Sequence, residues 1–308
     1  MAASTGLISR FELYKLDDTN RELLIESAQL MREWSDKYCA SKSGGGMEEW
    51  AKKQEGANGA SALTCDWYHG TWQFLRLLNM VAVPAWYEFY QETLTRALAE
   101  RPGANVLISA AADYGMLATL HQAVVTSGTS PTITLVDICE TPLRATQWYA
   151  ERHGVAIETV RGNLLTDDKY AEPTYDLIVT DEFLTVLKNP DKPHIVSRWK
   201  GMLKPGGVVV TTAMIGGVTS PDLRARYGER SLAGLERQAD LFKRAGTDHD
   251  DVARRFEVFA GLHTRHMVDD EYMIRELFDG FRLEFAPIVT PGECVNPTTS
   301  FQIFACKE

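Results

Sequence analysis

The sequence of 308 residues has no excess of positive charge, because 32 basic residues are outnumbered by 42 acidic ones and the formal net charge is -10. Proteins that bind a nucleic acid backbone concentrate lysine and arginine on one face. The charge balance therefore argues against a nucleic acid partner. We expect a small-molecule substrate instead.

Long apolar runs are missing as well. No stretch approaches the roughly 20 apolar residues that span a bilayer, and the first 15 residues lack the basic start and apolar core of a secretory signal. These absences predict a cytoplasmic protein without membrane association. The length suits one large domain with an elaboration, or two modest domains.

Cysteine is scarce and irregularly spaced. There are five cysteines, an odd number, and none has the CxxC spacing typical of zinc sites. We therefore expect neither a disulfide framework nor a metal, and read the cysteines as small buried apolar residues. His263 and His266 are interpreted as a helical surface pair rather than metal ligands. The cysteines are Cys39, Cys65, Cys139, Cys294 and Cys306.

From residue 105 onward, apolar runs of strand length alternate with helical patterns. Residues 105–109 read NVLIS, a small-residue turn follows at 110–115, and a second run at 132–137 ends in Asp137. A strand, tight turn, helix and acid-terminated strand open a nucleotide-binding βαβ unit, in which the acid binds ribose hydroxyls. Strands separated by helices pair in parallel through right-handed crossovers.

The predicted fold class is α/β: a Rossmann-like, doubly wound, mostly parallel sheet with an antiparallel C-terminal hairpin strand, an N-terminal helical subdomain and a helical lid insertion. The predicted strands are 105–109, 132–137, 155–160, 175–180, 207–213 and the hairpin 282–289 with 300–305; the helices between them are 115–127, 141–153 and 191–203.

Two helical regions lie outside this alternation. Residues 1–100 are predicted to form a cap or substrate subdomain, which begins with a helix capped near Asp17 and ending near Trp34, and residues 101–308 the binding domain. The insertion at about 217–265 fits a lid, and equally a packing or oligomerisation appendage. An aromatic-rich stretch fits either a helical core or a ligand pocket. Its rings are Trp67, Tyr68, Trp72, Phe74, Trp86, Tyr87, Phe89 and Tyr90.

Five features in fixed order carry a resemblance to a known family. They are the small-residue turn SAAADYG from Ser109, Asp137 in LVDICE, Gly162-Asn163, the run Tyr175–Glu182 and the turn Leu203-Lys-Pro-Gly-Gly207. Over about residues 85–308 the sequence resembles class I S-adenosylmethionine-dependent methyltransferases. The last two features are the most specific.

The resemblance implies S-adenosyl-L-methionine as cofactor. Small residues in the first turn would let the backbone approach the ligand, and Asp137 would accept hydrogen bonds from the ribose. Asn163 would lie at the adenine edge, with Ile138 and Leu164 on the two sides of the ring. The implied binding residues are Ser109, Ala110, Ala111, Asp113, Asp137, Ile138, Asn163, Leu164 and Thr180.

A second group of candidates comes from residue type and spacing. Tyr68, Trp72 and Arg76 lie at helical spacing on one face, and Arg76 could bind the methionyl carboxylate. The candidate bases are Asp181, Glu182 and His69, and His153 is a less favoured candidate. Each candidate also has a non-catalytic interpretation. Asp181 and Glu182 could position ligands without transferring a proton, and His69 could be a polar residue whose hydrogen bonds are satisfied within the protein.

The first turn departs from the family pattern, because residues 110–112 are alanine where two or three glycines are usual. Alanine adopts positive φ only at a cost. We therefore expect another turn conformation or a slightly displaced ligand. A nicotinamide-dinucleotide site is the competing interpretation, but it requires GxGxxG, and Asp113 would repel its pyrophosphate.

Three functions remain open. The first is methyl transfer to a small-molecule acceptor by in-line displacement. The second is a lyase or cyclase reaction in which S-adenosylmethionine attacks itself and releases methylthioadenosine. The third is a non-catalytic partner subunit that keeps the fold. The sequence leaves open whether the protein forms a homodimer.

Overall fold

The computed structural model describes residues 18–39, 65–81, 86–170, 172–289 and 299–308. Asp17 and Cys294 lie outside these residues. Within them the chain forms one seven-stranded sheet that carries helices on both faces. The strands are β1 Asn105–Ser109, β2 Thr132–Asp137, β3 Glu158–Arg161, β4 Tyr175–Val179, β5 Leu203–Met214, β6 Phe281–Val289 and β7 Thr299–Lys307.

The helices come before, between and after these strands. They are α1 Asp18–Trp34, α2 Asp66–Leu77, α3 Tyr87–Glu100, α4 Gly115–Ser127, α5 Glu140–His153, α6 Phe183–Val186, α7 Lys192–Met202, α8 Pro221–Arg237, α9 Ala239–Arg244, α10 His249–Leu262 and α11 Glu271–Leu277. A π-helical turn, Ser35–Cys39, continues α1, and short 3-10 turns occupy Asp168–Tyr170 and Asn189–Asp191. No described helix is long and apolar enough to cross a membrane.

The strand order is β3-β2-β1-β4-β5-β7-β6. Strands β1 to β5 pair in parallel, and β7 runs antiparallel between β5 and β6. This arrangement confirms the predicted fold class. After β3 the chain returns to the other side of β1, so the strand order reverses between β1 and β4.

The central strands are buried on both faces, which explains their continuous apolar runs. Val106 and Ile108 of β1 point into one core, and Leu107 points into the other. The first core also contains Leu24 of α1 and Phe74 of α2. The N-terminal helices thus share a core with the sheet, and a domain boundary at residue 100 stays a prediction.

Several strand boundaries differ by a few residues from the predicted ones, and the starts of β3 and β5 have clear local causes. Strand β3 begins at residue 158 rather than 155, because Gly154 ends α5 in a left-handed conformation and Val155 donates back to the Ala150 carbonyl at 2.9 Å. The predicted turn at 203–207 lies inside β5. The register against β4 shifts there, and Gly206 supplies the positive φ of 73° that this irregularity requires.

The predicted insertion is helical. Helices α8, α9 and α10 lie between β5 and α11, and Ser220 and Asp248 accept hydrogen bonds at the starts of α8 and α10. Helix α10 packs against both α8 and α2. The insertion and the aromatic-rich helix α2 therefore form one helical layer.

Candidate active site

The carboxyl ends of β1 and β4 border the point where the strand order reverses. Open α/β sheets bind ligands in the crevice at such a point. Ser109 ends β1, and Thr180 and Asp181 follow β4. Three of the predicted site residues are thereby placed at this crevice by topology alone.

Asp137, at the end of β2, is a buried carboxylate that is already attached to the neighbouring turn. Its Oδ2 accepts a hydrogen bond from the Ala111 backbone N–H at 3.0 Å, and its Oδ1 accepts one from Cys139 at 2.7 Å. Burial raises the pKa of Asp137 to about 7. Each carboxylate oxygen has a second lone pair, so the group can still accept hydrogen bonds from a ligand.

The turn after β1 corrects one expectation. Ala110 has φ 66°, in the left-handed region, and its N–H donates to the Val136 carbonyl at 3.0 Å. The expectation that alanine forces another conformation is therefore wrong at residue 110. The hydrogen bonds of Ala110 and Ala111 to β2 and Asp137 hold the turn in this form against a cost of about 1–2 kcal/mol.

Ala110→Gly should be neutral or stabilise the protein by up to about 1 kcal/mol in urea unfolding. Glycine removes the left-handed strain, while its greater freedom in the unfolded chain offsets roughly 0.5–1 kcal/mol of that gain. Ala112, which lacks a positive φ, is the matched control, and Ala112→Gly should destabilise by about 0.5–1 kcal/mol. Equal losses in the two variants would contradict the strain at residue 110.

A buried ion pair connects helix α2 to the same turn. Arg76 Nη1 lies 2.6 Å from Asp113 Oδ2, and Asp113 Oδ1 accepts from the Gly115 N–H at 2.6 Å. The guanidinium also lies over the Tyr114 ring, 5.3 Å from its centroid. Arg76 thus has a protein carboxylate as partner, and its binding of a methionyl carboxylate stays a prediction.

The two predicted carboxylate bases, which follow β4, differ in their hydrogen bonds. Glu182, at φ 53°, accepts hydrogen bonds from the Met214 N–H at 2.7 Å, Thr185 Oγ1 at 2.8 Å and Ser300 Oγ at 2.7 Å. Burial raises its pKa. Both of its oxygens are engaged in joining β4 to β5 and β7. Asp181 accepts from Thr212 Oγ1 at 2.9 Å.

Aromatic rings from α2, α8 and α10 form a layer next to these elements. Tyr68 stacks on Trp72 with 5.0 Å between ring centroids and on Phe259 at 5.8 Å. Phe259 also contacts Tyr227 at 6.1 Å and stacks on His263 at 4.7 Å. We call these five residues the aromatic layer.

Residues 112–207 match the protein family described as a methyltransferase domain. The match runs from the turn after β1 into β5. This match agrees with the predicted resemblance to class I S-adenosylmethionine-dependent methyltransferases, which implies S-adenosylmethionine as the cofactor. No curated protein matches the chain.

Several solved structures resemble the chain. A SAM-dependent methyltransferase from Methanosarcina mazei is 17% identical with a TM-score of 0.46, and the match covers 67% of this chain and 93% of that one. TehB from Haemophilus influenzae is 13% identical with a TM-score of 0.47, covering 77% and 66%. The N-methyltransferase NodS from Bradyrhizobium japonicum, in complex with S-adenosyl-L-homocysteine, is 15% identical with a TM-score of 0.42, covering 71% and 86%.

Other predicted binding residues have protein contacts of their own. Asn163 Oδ1 accepts from the Leu165 N–H at 3.0 Å, which closes its own turn. Ser109 Oγ accepts from Trp199 Nε1 at 2.9 Å, on the side of the second core that also buries Leu164. The adenine-contacting roles of Asn163 and Leu164 stay predictions.

The structure does not place the three predicted bases together. Asp181 and Glu182 follow β4, whereas His69 of α2 lies beside the turn after β1. The His69 Nδ1 is 3.2 Å from the Ala112 carbonyl, and the imidazole also hydrogen-bonds the Cys139 thiol. His69 therefore belongs to the Asp137 end of the site.

Two features were missed by sequence reasoning. His263 follows α10 instead of lying on its surface, and its Nε2 accepts from Arg265 Nε at 3.3 Å. Burial and the charge of Arg265 hold the pKa of His263 well below its usual value. The helical surface pair was thus a wrong interpretation. The second missed feature is a cluster of Cys39, Cys65 and Cys139.

Proposed function

We propose that this protein is a methyltransferase that transfers a methyl group from S-adenosylmethionine to a small-molecule acceptor held beneath the aromatic layer. The observation that carries the proposal is the Asp137 carboxylate, which is buried at the end of β2 and hydrogen-bonded to the turn after β1. The cofactor, when bound, supplies an activated methyl group on a sulfonium. The protein then needs mainly to position the reactants.

The cofactor side of the site fits a ribose near β2. Asp137 can accept hydrogen bonds from two vicinal hydroxyls with the lone pairs that Ala111 and Cys139 leave open. Hydrogen bonds from the ribose hydroxyls to these lone pairs would also favour the charged form of the carboxylate, which burial disfavours. The adjacent turn has only methyl side chains at residues 110–112, so a ligand can approach its backbone closely.

The acceptor side fits a molecule with an apolar body and a polar group. Trp72 Nε1 and Tyr227 Oη are buried, yet neither has a hydrogen-bond partner among the described residues. Buried polar atoms usually find a partner, and both rings contact Phe259. An acceptor lying along the aromatic layer would supply partners for these two atoms.

We assign the general base to Asp181 rather than Glu182. The Glu182 oxygens accept three protein hydrogen bonds that join β4 to β5 and β7, so this carboxylate has a structural task. Asp181 is next to the crevice between β1 and β4 and accepts from Thr212 Oγ1. An acceptor that carries no proton at the attacked atom would need no base at all.

The test is to incubate the protein with S-adenosylmethionine, with and without small-molecule fractions of cell extract, and to identify the nucleoside products. S-adenosylhomocysteine that forms only with a fraction supports methyl transfer. Methylthioadenosine above the spontaneous rate without a fraction would overturn it in favour of an intramolecular reaction. If calorimetry detects no cofactor binding, the remaining interpretation is a non-catalytic partner subunit.

A variant sharpens the assay. Asp181→Asn should bind the cofactor normally and form less S-adenosylhomocysteine with an active fraction, if the acceptor must lose a proton. Glu182→Gln is the matched control, and it should change the stability of the sheet more than cofactor binding. Normal turnover in Asp181→Asn would remove Asp181 from the mechanism.

A further inference from the structure

Three cysteines that are far apart in the sequence meet beside Asp137. The Cys39 and Cys65 sulfur atoms are 2.9 Å apart, Cys65 and Cys139 are 3.2 Å apart, and Cys39 and Cys139 are 3.4 Å apart. Cys39 ends the π-helical turn after α1, Cys65 precedes α2, and Cys139 precedes α5. We call these three residues the thiol cluster.

The spacing of the sulfur atoms restricts what the thiol cluster can be. All three distances exceed the length of a disulfide, which is about 2.05 Å. Sulfur atoms around a tetrahedral zinc, each at about 2.3 Å from the metal, would lie about 3.8 Å apart. Small outward shifts of each sulfur would thus make room for one ion. An iron–sulfur cluster, with several ions between its ligands, does not fit.

His69 is the candidate for a fourth ligand, and its ring would have to move closer, because among the described residues the group with all ligand atoms within 4.8 Å of one another contains the three cysteines alone. Its imidazole is buried and hydrogen-bonds the Cys139 thiol. The Ala112 carbonyl accepts from Nδ1 at 3.2 Å, which leaves Nε2 with the lone pair that a metal needs. A second hydrogen bond that fixes the ring is what protein metal sites usually provide for a histidine ligand.

We propose that Cys39, Cys65, Cys139 and His69 bind one structural Zn²⁺. Thiolates and imidazole are the ligands that zinc prefers, and structural sites are closed to water. The thiol cluster is closed in this way, since its cysteines are at most 4% exposed. Binding releases three thiol protons, so the ion and its ligands carry a net charge of about -1.

The proposed metal would act on the cofactor site through position. It joins the ends of α1 and α2 to Cys139, whose N–H donates to Asp137. Zinc would therefore hold the helical layer against the loop that carries the ribose acid. A ligated His69 could not also accept a proton, so this assignment removes His69 from the candidate bases. The metal site stands even if no methyl transfer is found.

The experiment measures zinc in the full chain, purified without chelator under reducing conditions, by elemental analysis. We expect about one zinc per chain, and Co²⁺ substitution should give thiolate-to-cobalt charge-transfer absorption in the near ultraviolet. Cys139→Ser should lose the zinc, whereas the matched control Cys306→Ser, on β7, should keep it. His69→Ala should weaken zinc affinity at least about tenfold and keep the cobalt–thiolate absorption.

Several results would overturn the zinc site. Wild-type protein with all thiols reduced that takes up neither Zn²⁺ nor Co²⁺ would do so, as would equal zinc loss in Cys139→Ser and Cys306→Ser. A disulfide between two residues of the thiol cluster, seen by mass spectrometry in protein prepared without air, would replace the metal. If Cys139→Ser does not fold, the wild-type cobalt spectrum decides.

Discussion

Asp137→Ala should weaken S-adenosylmethionine binding by more than tenfold, which corresponds to about 1.4 kcal/mol. The change removes the carboxylate that is proposed to accept hydrogen bonds from both ribose hydroxyls. It also removes the acceptor of the Ala111 N–H, so the turn after β1 loses a support in the free protein. Titration calorimetry of purified protein measures the affinity directly.

The controls for this prediction separate charge from position. Asp137→Asn keeps an oxygen acceptor and a similar shape, so its affinity should lie between those of wild type and Asp137→Ala. Asp176, at the opposite end of the sheet in β4, forms an ion pair with Lys204 at 2.8 Å. Asp176→Asn should leave the affinity unchanged. An unchanged affinity in Asp137→Ala would place the ribose elsewhere.

The strands and the position of Asp137 at the end of β2 could be predicted from sequence because their signals are local. The run at 105–109 has the consecutive apolar residues Val106, Leu107 and Ile108 because β1 is buried on both faces, and Asp137 ends the next such run. The parallel pairing of these strands follows from the helical segments between them. One local rule failed at Ala110, because hydrogen bonds from neighbouring segments hold a conformation that alanine alone avoids.

The rest of the site depends on contacts between distant segments. Cys39, Cys65 and Cys139 have no recognisable spacing, and only the packing of α1, α2 and α5 brings their sulfur atoms within 3.4 Å. Tyr227 and Phe259 lie on amphipathic helices of the insertion, whose sequence does not say which element they face. Residue type predicted Arg76 as a ligand-binding cation, whereas tertiary structure supplies its carboxylate partner.

The largest loss of folding stability is expected when the ion pair between Arg76 and Asp113 is broken. Arg76→Met should destabilise the folded state by about 3–5 kcal/mol, because it leaves the buried Asp113 carboxylate without its counter-charge. Asp113 is 1% exposed, so water cannot replace the guanidinium. Urea unfolding measures the change. Arg152→Met, which breaks an exposed pair with Glu26 at 2.9 Å, is the matched control and should cost at most about 1 kcal/mol.

A double variant decides between a structural and a ligand-binding role for Arg76. Asp113→Asn added to Arg76→Met removes the stranded charge and keeps an oxygen for the Gly115 N–H, so it should restore most of the lost stability. If the ion pair is structural, the double variant also regains cofactor affinity, because the turn is repaired. If Arg76 binds the methionyl carboxylate, stability returns while affinity stays low. The stability and the cofactor affinity of the double variant together therefore decide the role of the Arg76 guanidinium.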